Sequence, residues 1–502
     1  MKTGFRTISF NRLLEGLVLL VPGMMFLSPD IETNPYVDNT TAWIVLGMSI
    51  LIIAAIRINQ RRRIPLLNIF ILNHVGFWHI RYLTLLLYPK YQIVLTRSVI
   101  INQKIFNEYS LLVLLSLAAV FVGIFFAYCL YANFDRKGVN GKDKIDVVQI
   151  NQFVESKLRL IFGYCTAALC FQLFIMRSGR IEFPWWVGYL NYLCPMQFII
   201  FLCLLVLLAD NVAKKTKYLF GIYLALYVIL TVLAGARSIL LHTLIYLFCM
   251  LFLYKKDMRF RLRHLMLGLM LILAMFMSFV FATTQRAFQQ EVGFGMNAEV
   301  IKYSIDKSAD SFSYEAMDPM IGFATARAGY LDFGAEMYAN DAYASVINIA
   351  NIAKSIIDQL IPGAIFDDSR AISHRIKNIY DPSHPGYQSD SITAVGENYI
   401  LFGYGFPVVI AFVAFVFTTC YLLIGNTVFG IWLKFVLLFN FMFWWNSFGY
   451  DWLLLDIARQ SVFGSLLLVV LSCKKRVRLF GREAHKEAKR CQAFYSARDR
   501  KF

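Results

Sequence analysis

About twelve stretches of this chain are each apolar for the ~17–25 residues that a helix needs to cross ~30 Å of hydrocarbon. They run roughly over 13–28, 42–57, 64–88, 110–132, 158–176, 188–209, 218–234, 239–254, 265–283, 399–424, 427–446 and 452–472. Lipid offers no partner for a bare N–H or C=O, so an apolar run of this length must close its hydrogen bonds within itself, as a helix. Of the 502 residues, 58% are hydrophobic and 16% charged, and the mean hydropathy is +0.57. Soluble domains do not reach such values. The expected fold class is an all-α polytopic membrane protein with about 12 transmembrane helices.

The first run follows Lys2, Arg6 and Arg12 in the manner of a signal peptide, but no A-x-A-like cleavage site follows it, so it is read as a span. The stretch "LTVLAGARSILLHTLIYLF" raises a different problem. One helix from Tyr218 to Tyr254 would be about 55 Å long at ~1.5 Å per residue, nearly twice the bilayer core. Ala234-Gly235-Ala236 is the natural place to fold back, which leaves Arg237 at a membrane face.

Charge assigns the faces. The net charge of +17 would suggest a nucleic-acid partner in a soluble protein, but here the cations sit in short clusters between apolar runs. Segments following even-numbered spans hold Arg57 and Arg61 to Arg63; Arg136, Lys137, Lys142 and Lys144; Lys214, Lys215 and Lys217; Lys255, Lys256, Arg259, Arg261 and Arg263; and the tail "KKRVRLFGR". All lie on the side of the N-terminus, so the positive-inside rule puts both termini in the cytoplasm, with no nucleic acid involved. Nine cysteines without a CxxC pair indicate neither a disulfide framework nor a metal site.

The chain then divides into spans one to nine over 1–283, a large external loop over 284–398, spans ten to twelve over 399–472, and a basic cytoplasmic tail over 473–502. The loop mixes polar residues with helix-like pieces such as "DAYASVINIANIAKSIIDQL", and connections of this length are usually functional. It carries Arg286, Arg327, Arg370, Arg375, His374, His384 and Asp390, and with Arg237 it makes a cationic group where topology expects few cations. Guanidinium forks bind phosphate oxygens in pairs at any relevant pH, which suits a lipid diphosphate.

Other polar residues have plainer readings. Arg177 and Arg180 beside Trp185 and Trp186 fit an interfacial belt. Arg237 alone could snorkel to headgroups. In "LNHVGFWHIRYLTLLLY", His74, His79 and Arg81 lie too deep for that; His74 and Arg81, seven apart, share a helix face, as a buried network or a substrate contact. Asp456 and Arg459 are spaced as an i,i+3 pair. Asp367-Asp368 reads as a turn or cap rather than a metal site, and Asn39-Thr40-Thr41 matches the glycosylation sequon only in form.

Taken together, the dozen spans, the "GAR" turn, the late external loop, and "LIPGAIFDD" followed by "HPGYQSDSITAVGENYILFGYGF" resemble the Wzy-type O-antigen and exopolysaccharide repeat-unit polymerases. The resemblance implies a GT-C-like fold related to the O-antigen ligases, in a bacterial inner membrane with a periplasmic loop. It implies a polysaccharide polymerase, a glycosyltransferase that moves a growing glycan from undecaprenyl diphosphate to an incoming lipid-linked repeat unit. Glu397 matches the family's "GE" position and is the first choice for general base, followed by Asp390, His374 and His384; Arg237, Arg286, Arg327, Arg370 and Arg375 would hold the diphosphate. No cofactor or metal is expected, because arginines can stabilise the leaving diphosphate. Partners are the undecaprenyl-diphosphate-linked oligosaccharide and the lipid bilayer, with room for a chain-length-regulating co-polymerase. A ligase would share the donor chemistry, but "SITAVGENY" lacks the histidine that ligases carry there. A flippase or transporter of lipid-linked oligosaccharide would also have about twelve spans, yet the two halves of this chain show no mutual similarity.

Overall fold

The computed structural model describes residues 8–62, 64–89, 101–134, 147–178, 196–233, 239–254, 259–260, 302–303, 306, 330–360, 372, 375–376, 392–446 and 449–472. Their regular structure is helical apart from a two-residue antiparallel bridge that pairs Ile8 with Phe260 and Ser9 with Arg259. The helices are α1 (Phe10–Leu27), α2 (Asn39–Arg62), α3 (Pro65–His74), α4 (Ile80–Leu87), α5 (Gln103–Phe134), α6 (Val147–Ser178), α7 (Met196–Leu208), α8 (Lys214–Leu233) and α9 (Ile239–Tyr254). After them come α10 (Tyr330–Ala339), α11 (Ile349–Leu360), α12 (Ala394–Phe402), α13 (Phe406–Leu423), α14 (Val428–Asn446) and α15 (Tyr450–Ser472).

Among the described residues, six segments are long and apolar enough to cross a membrane: Phe10–Leu27, Asn39–Gln60, Gln103–Tyr131, Ala394–Leu423, Val428–Asn446 and Tyr450–Ser472. This is a helical membrane protein. The predicted run 64–88 is helix interrupted by a π turn, Val75–His79, in which Ile80 N–H reaches the Val75 carbonyl. Runs 158–176 and 239–254 fall on α6 and α9, and the described parts of 188–209 and 218–234 on α7 and α8, whereas 188–195, 234 and 265–283 lie outside the described residues. The fold-back expected near Ala234 falls between α8 and α9, which pack against each other.

Polar stitching separates the two ends of the bundle. At one end Asn34 Nδ2 donates to the carbonyls of Leu85 (3.1 Å) and Leu86 (3.2 Å), two that α4 leaves open at its C-terminus, while its Oδ1 accepts Tyr36 and Val37 N–H, each at 3.0 Å. Asp38 caps α2 through Thr41 N–H at 2.8 Å, and Asn107 of α5 donates to Asp38 Oδ2 at 2.9 Å. The Thr41 hydroxyl is fully buried in that cap, which gives the sequon residue a structural task. At the other end Arg57 pairs with Glu15 at 2.8 Å, Asp210 N–H meets Asn151 at 2.9 Å, and Lys157 donates to the Ser472 carbonyl at 3.0 Å. The start of α5 therefore lies beside the start of α2, and the start of α6 beside the ends of α7 and α15.

Between the ends, aromatic side chains fill the gaps among α3, α5, α7, α9, α13 and α14. Phe70 meets Phe121, Phe441 and Trp445, and Tyr246 lies against Phe435 and Phe439. Such contacts matter because lipid tails are as apolar as leucine, so helices associate by close packing rather than by escape from water. Near the start of α13 the chain turns at Gly403, whose φ of 54° is one that L side chains rarely adopt, and this breaks the run into α12 and α13.

Candidate functional site

The helices described within the long loop are docked onto the bundle. On α4, Arg81 donates Nε to Asp332 Oδ1 at 3.1 Å and Nη2 to Asp332 Oδ2 at 2.6 Å, with Nη1 on Thr84 Oγ1 at 3.2 Å. Both paired side chains are at most 1% exposed. Burying two charges is favourable only when the geometry satisfies them, and the guanidinium fork does so with two parallel bonds. Two residues along α10, Gly334 lies on Tyr109 so closely that a Cβ there would meet the Tyr109 hydroxyl at 1.9 Å; only glycine permits this approach. Tyr338 donates to Glu108 Oε2 at 2.9 Å, and burial followed by that neighbouring carboxylate pushes its phenol pKa up.

The loop's exit is built on a helix start. Thr393 caps α12 by accepting Gly396 N–H at 3.1 Å and also meets Tyr109 Oη at 3.2 Å. This places Glu397 in the first turn of α12, fully buried, where its carboxylate accepts Tyr450 N–H through Oε1 at 3.1 Å and Oε2 at 3.2 Å. Tyr450 opens α15, so Glu397 caps the last helix from another helix and meets the positive end of its dipole. Next along α15, the buried Asp451 accepts Ser355 Oγ–H at 2.8 Å and Ile372 N–H at 3.1 Å on Oδ2. Its Oδ1 has no hydrogen-bond partner among the described residues. Glu397 Oε1 and Asp451 Oδ1 converge on one point, 3.1 and 3.0 Å from where a Gly449 Cβ would stand.

A small second core backs this arrangement: Phe333, Met337, Tyr343, Ile347, Ile352, Ile372, Ile376 and Ile392, with Tyr450 packed against it. Tyr450 Oη donates to Asn398 Oδ1 at 2.8 Å. The chemistry on offer is a pair of buried carboxylates at the start of α15, one of them holding the Tyr450 N–H. A carboxylate in such a position can accept a proton from a hydroxyl brought to it. Among the described residues no three His, Cys, Asp or Glu side chains gather as a metal-ligand set.

Of the residues predicted from sequence, Glu397 lies at the centre of this seam. Arg375, 8% exposed, lies three residues beyond the Ile372 N–H that Asp451 binds. Arg237, Arg286, Arg327, Arg370, His374, His384 and Asp390 lie outside the described residues. Between His74 and Arg81, both buried, the helix carries the π turn Val75–His79. His74 stacks on Phe70 and Trp78, with neither ring nitrogen hydrogen-bonded among the described residues; His79 meets Ser49 Oγ and the Val18 carbonyl, each at 3.0 Å. Arg459 reaches the Gln359 carbonyl of α11 at 2.6 Å, adding a further tie between loop and bundle. Asp332 and Asp451 were not singled out by sequence. The signal available was a lone acid in each apolar helix start, "YLDFG" and "YDWLLL".

The chain matches no family model, no curated protein and no solved structure.

Proposed function

We propose that the protein is a polysaccharide polymerase of GT-C-like architecture with about twelve spans, joining undecaprenyl-diphosphate-linked repeat units on the outer face of a bacterial inner membrane. The observation that carries this reading is the convergence of Glu397, in the segment that resembles the polymerases, with Asp451 at the end of the bundle where the loop helices dock. The cationic clusters at the opposite end support a position outside the cytoplasm for this one. The acceptor sugar's hydroxyl attacks the anomeric carbon of the donor, the bond from that carbon to the phosphate oxygen breaks, and the diphosphate leaves with the electron pair. Glu397 takes the hydroxyl proton. Arg237, Arg286, Arg327, Arg370 and Arg375 meet the charge that grows on the diphosphate, as preorganised donors do best in a site closed to water.

The test is the lipid-linked glycan profile of a strain lacking the gene. Single repeat units on the carrier or on its acceptor support a polymerase. Long chains stranded on undecaprenyl diphosphate assign ligation instead, and repeat units trapped on the cytoplasmic face assign transport.

A further inference from the structure

On the far end of the bundle from the loop, α7 and α8 enclose a groove of about 570 Å³. Lys214, Lys217, Tyr218, Gly221, Ile222 and Ala225 form one wall, and Leu207 stands opposite. Their spacing along α8, three or four residues at a time, puts all six on a single helix face. Gly221 makes the floor: a Cβ there would already be in van der Waals contact with Leu207 Cδ2 at 3.9 Å, so a long side chain in its place would project into the groove. The face is open, with Tyr218 73% and Ile222 59% exposed.

The order of chemistry along this wall is cationic, then aromatic with a polar tip, then apolar. From Lys214 to Ala225 the wall is about 16 Å long at ~1.5 Å per residue, close to half of the ~30 Å hydrocarbon core. A phospholipid presents the same order over the same length: phosphate, glycerol ester, acyl chain. We infer that the α7–α8 groove is a binding site for one anionic phospholipid of the adjacent leaflet, its phosphate between Lys214 and Lys217 and an acyl chain along Gly221, Ile222 and Leu207. Lysine near a charged leaflet attracts anionic headgroups, and Tyr218 sits at the level where aromatic residues meet the glycerol region. The site owes nothing to the glycosyl-transfer reading and stands if that reading falls.

The experiment is native mass spectrometry and thermal denaturation of the full chain in nanodiscs or detergent, supplied with phosphatidylglycerol or phosphatidylcholine. Wild-type protein should keep one phosphatidylglycerol through delipidation and melt higher with it than with phosphatidylcholine. Lys214→Gln with Lys217→Gln should weaken that retention on the order of tenfold to thirtyfold. Gly221→Leu, which leaves the charges in place, should lose it by filling the chain's path. Inorganic phosphate at the same concentration should give no shift, since it lacks the acyl chain; a shift equal to that of the lipid would make this a free-phosphate site and overturn the inference. Equal retention of both lipids, or unchanged retention in the double glutamine variant, would overturn it as well.

Discussion

Arg81 and Asp332, 251 residues apart, meet through two hydrogen bonds with almost no exposed surface, so the third hydrophobic segment and the long segment 284–398 share one buried ion pair. Removing one partner leaves the other charge buried and unpaired. Arg81→Ala should cost ~3–5 kcal/mol and loosen α10. The paired replacement Arg81→Met with Asp332→Leu, which leaves no charge behind, should stay close to wild type in stability. Thermal melting in detergent with limited proteolysis of the loop checks both. An unchanged melt for Arg81→Ala would mean the pair is not what holds the loop.

Glu397 has two duties in this account, and they separate by substitution. Glu397→Gln keeps an oxygen for the Tyr450 N–H, so it should fold and melt near wild type while polymer yield falls at least a hundredfold. Glu397→Ala removes the cap as well and should lose about 1 kcal/mol more. Wild-type polymer from Glu397→Gln would leave Glu397 as a helix cap and send the search for the base to Asp390, His374 and His384.

Arg237 is argued from its sequence neighbourhood. An anchor at a small-residue turn needs positive charge and a long stem, which lysine supplies; a diphosphate site needs the planar fork. Arg237→Lys should insert and express normally yet slow turnover about 30- to 1000-fold, the equivalent of ~2–4 kcal/mol in the transition state. Normal chain length and yield in that variant would reassign Arg237 to the interface.

Turnover should persist in chelator. Purified protein given lipid-linked repeat units is expected to polymerise with divalent ions removed, since arginines take the charge-stabilising role. Activity lost to chelation and restored by magnesium or manganese would reject this mechanism.

Reporter fusions test the faces directly. Fusions at Lys142, Lys215, Lys256 and Arg490 should report cytoplasm, and one near Gly363 the opposite side. The reverse result at Gly363 would put the Glu397 end inside.

The fold was legible where lipid imposes a rule on local sequence. Apolar runs became helices, and the helices on either side of residues 234–238 pack against each other, as two spans rather than one would. The seam was less legible because its parts are far apart in sequence. Nothing near Asp332 announces Arg81, and "VGFWH" has no proline or paired small residues to mark a π turn. The start of α12 was missed for a local reason. Thr393 and Glu397 are four apart, not the three of a capping box, so the glutamate reads as loop although it faces another helix's first N–H.

The π turn at Val75–His79 sets a phase as well as a shape. Each residue advances a helix by about 100°, so the residue accommodated by that wide turn decides which way everything after it points, Arg81 included. Deleting Gly76, whose Cβ position is open, would let the segment return to α-helical phase and swing Arg81 away from Asp332 while every charge stayed in the chain. The docking of the loop is therefore an arithmetic property of the third segment: a one-residue frame offset, invisible to composition, could undock it as effectively as removing the arginine.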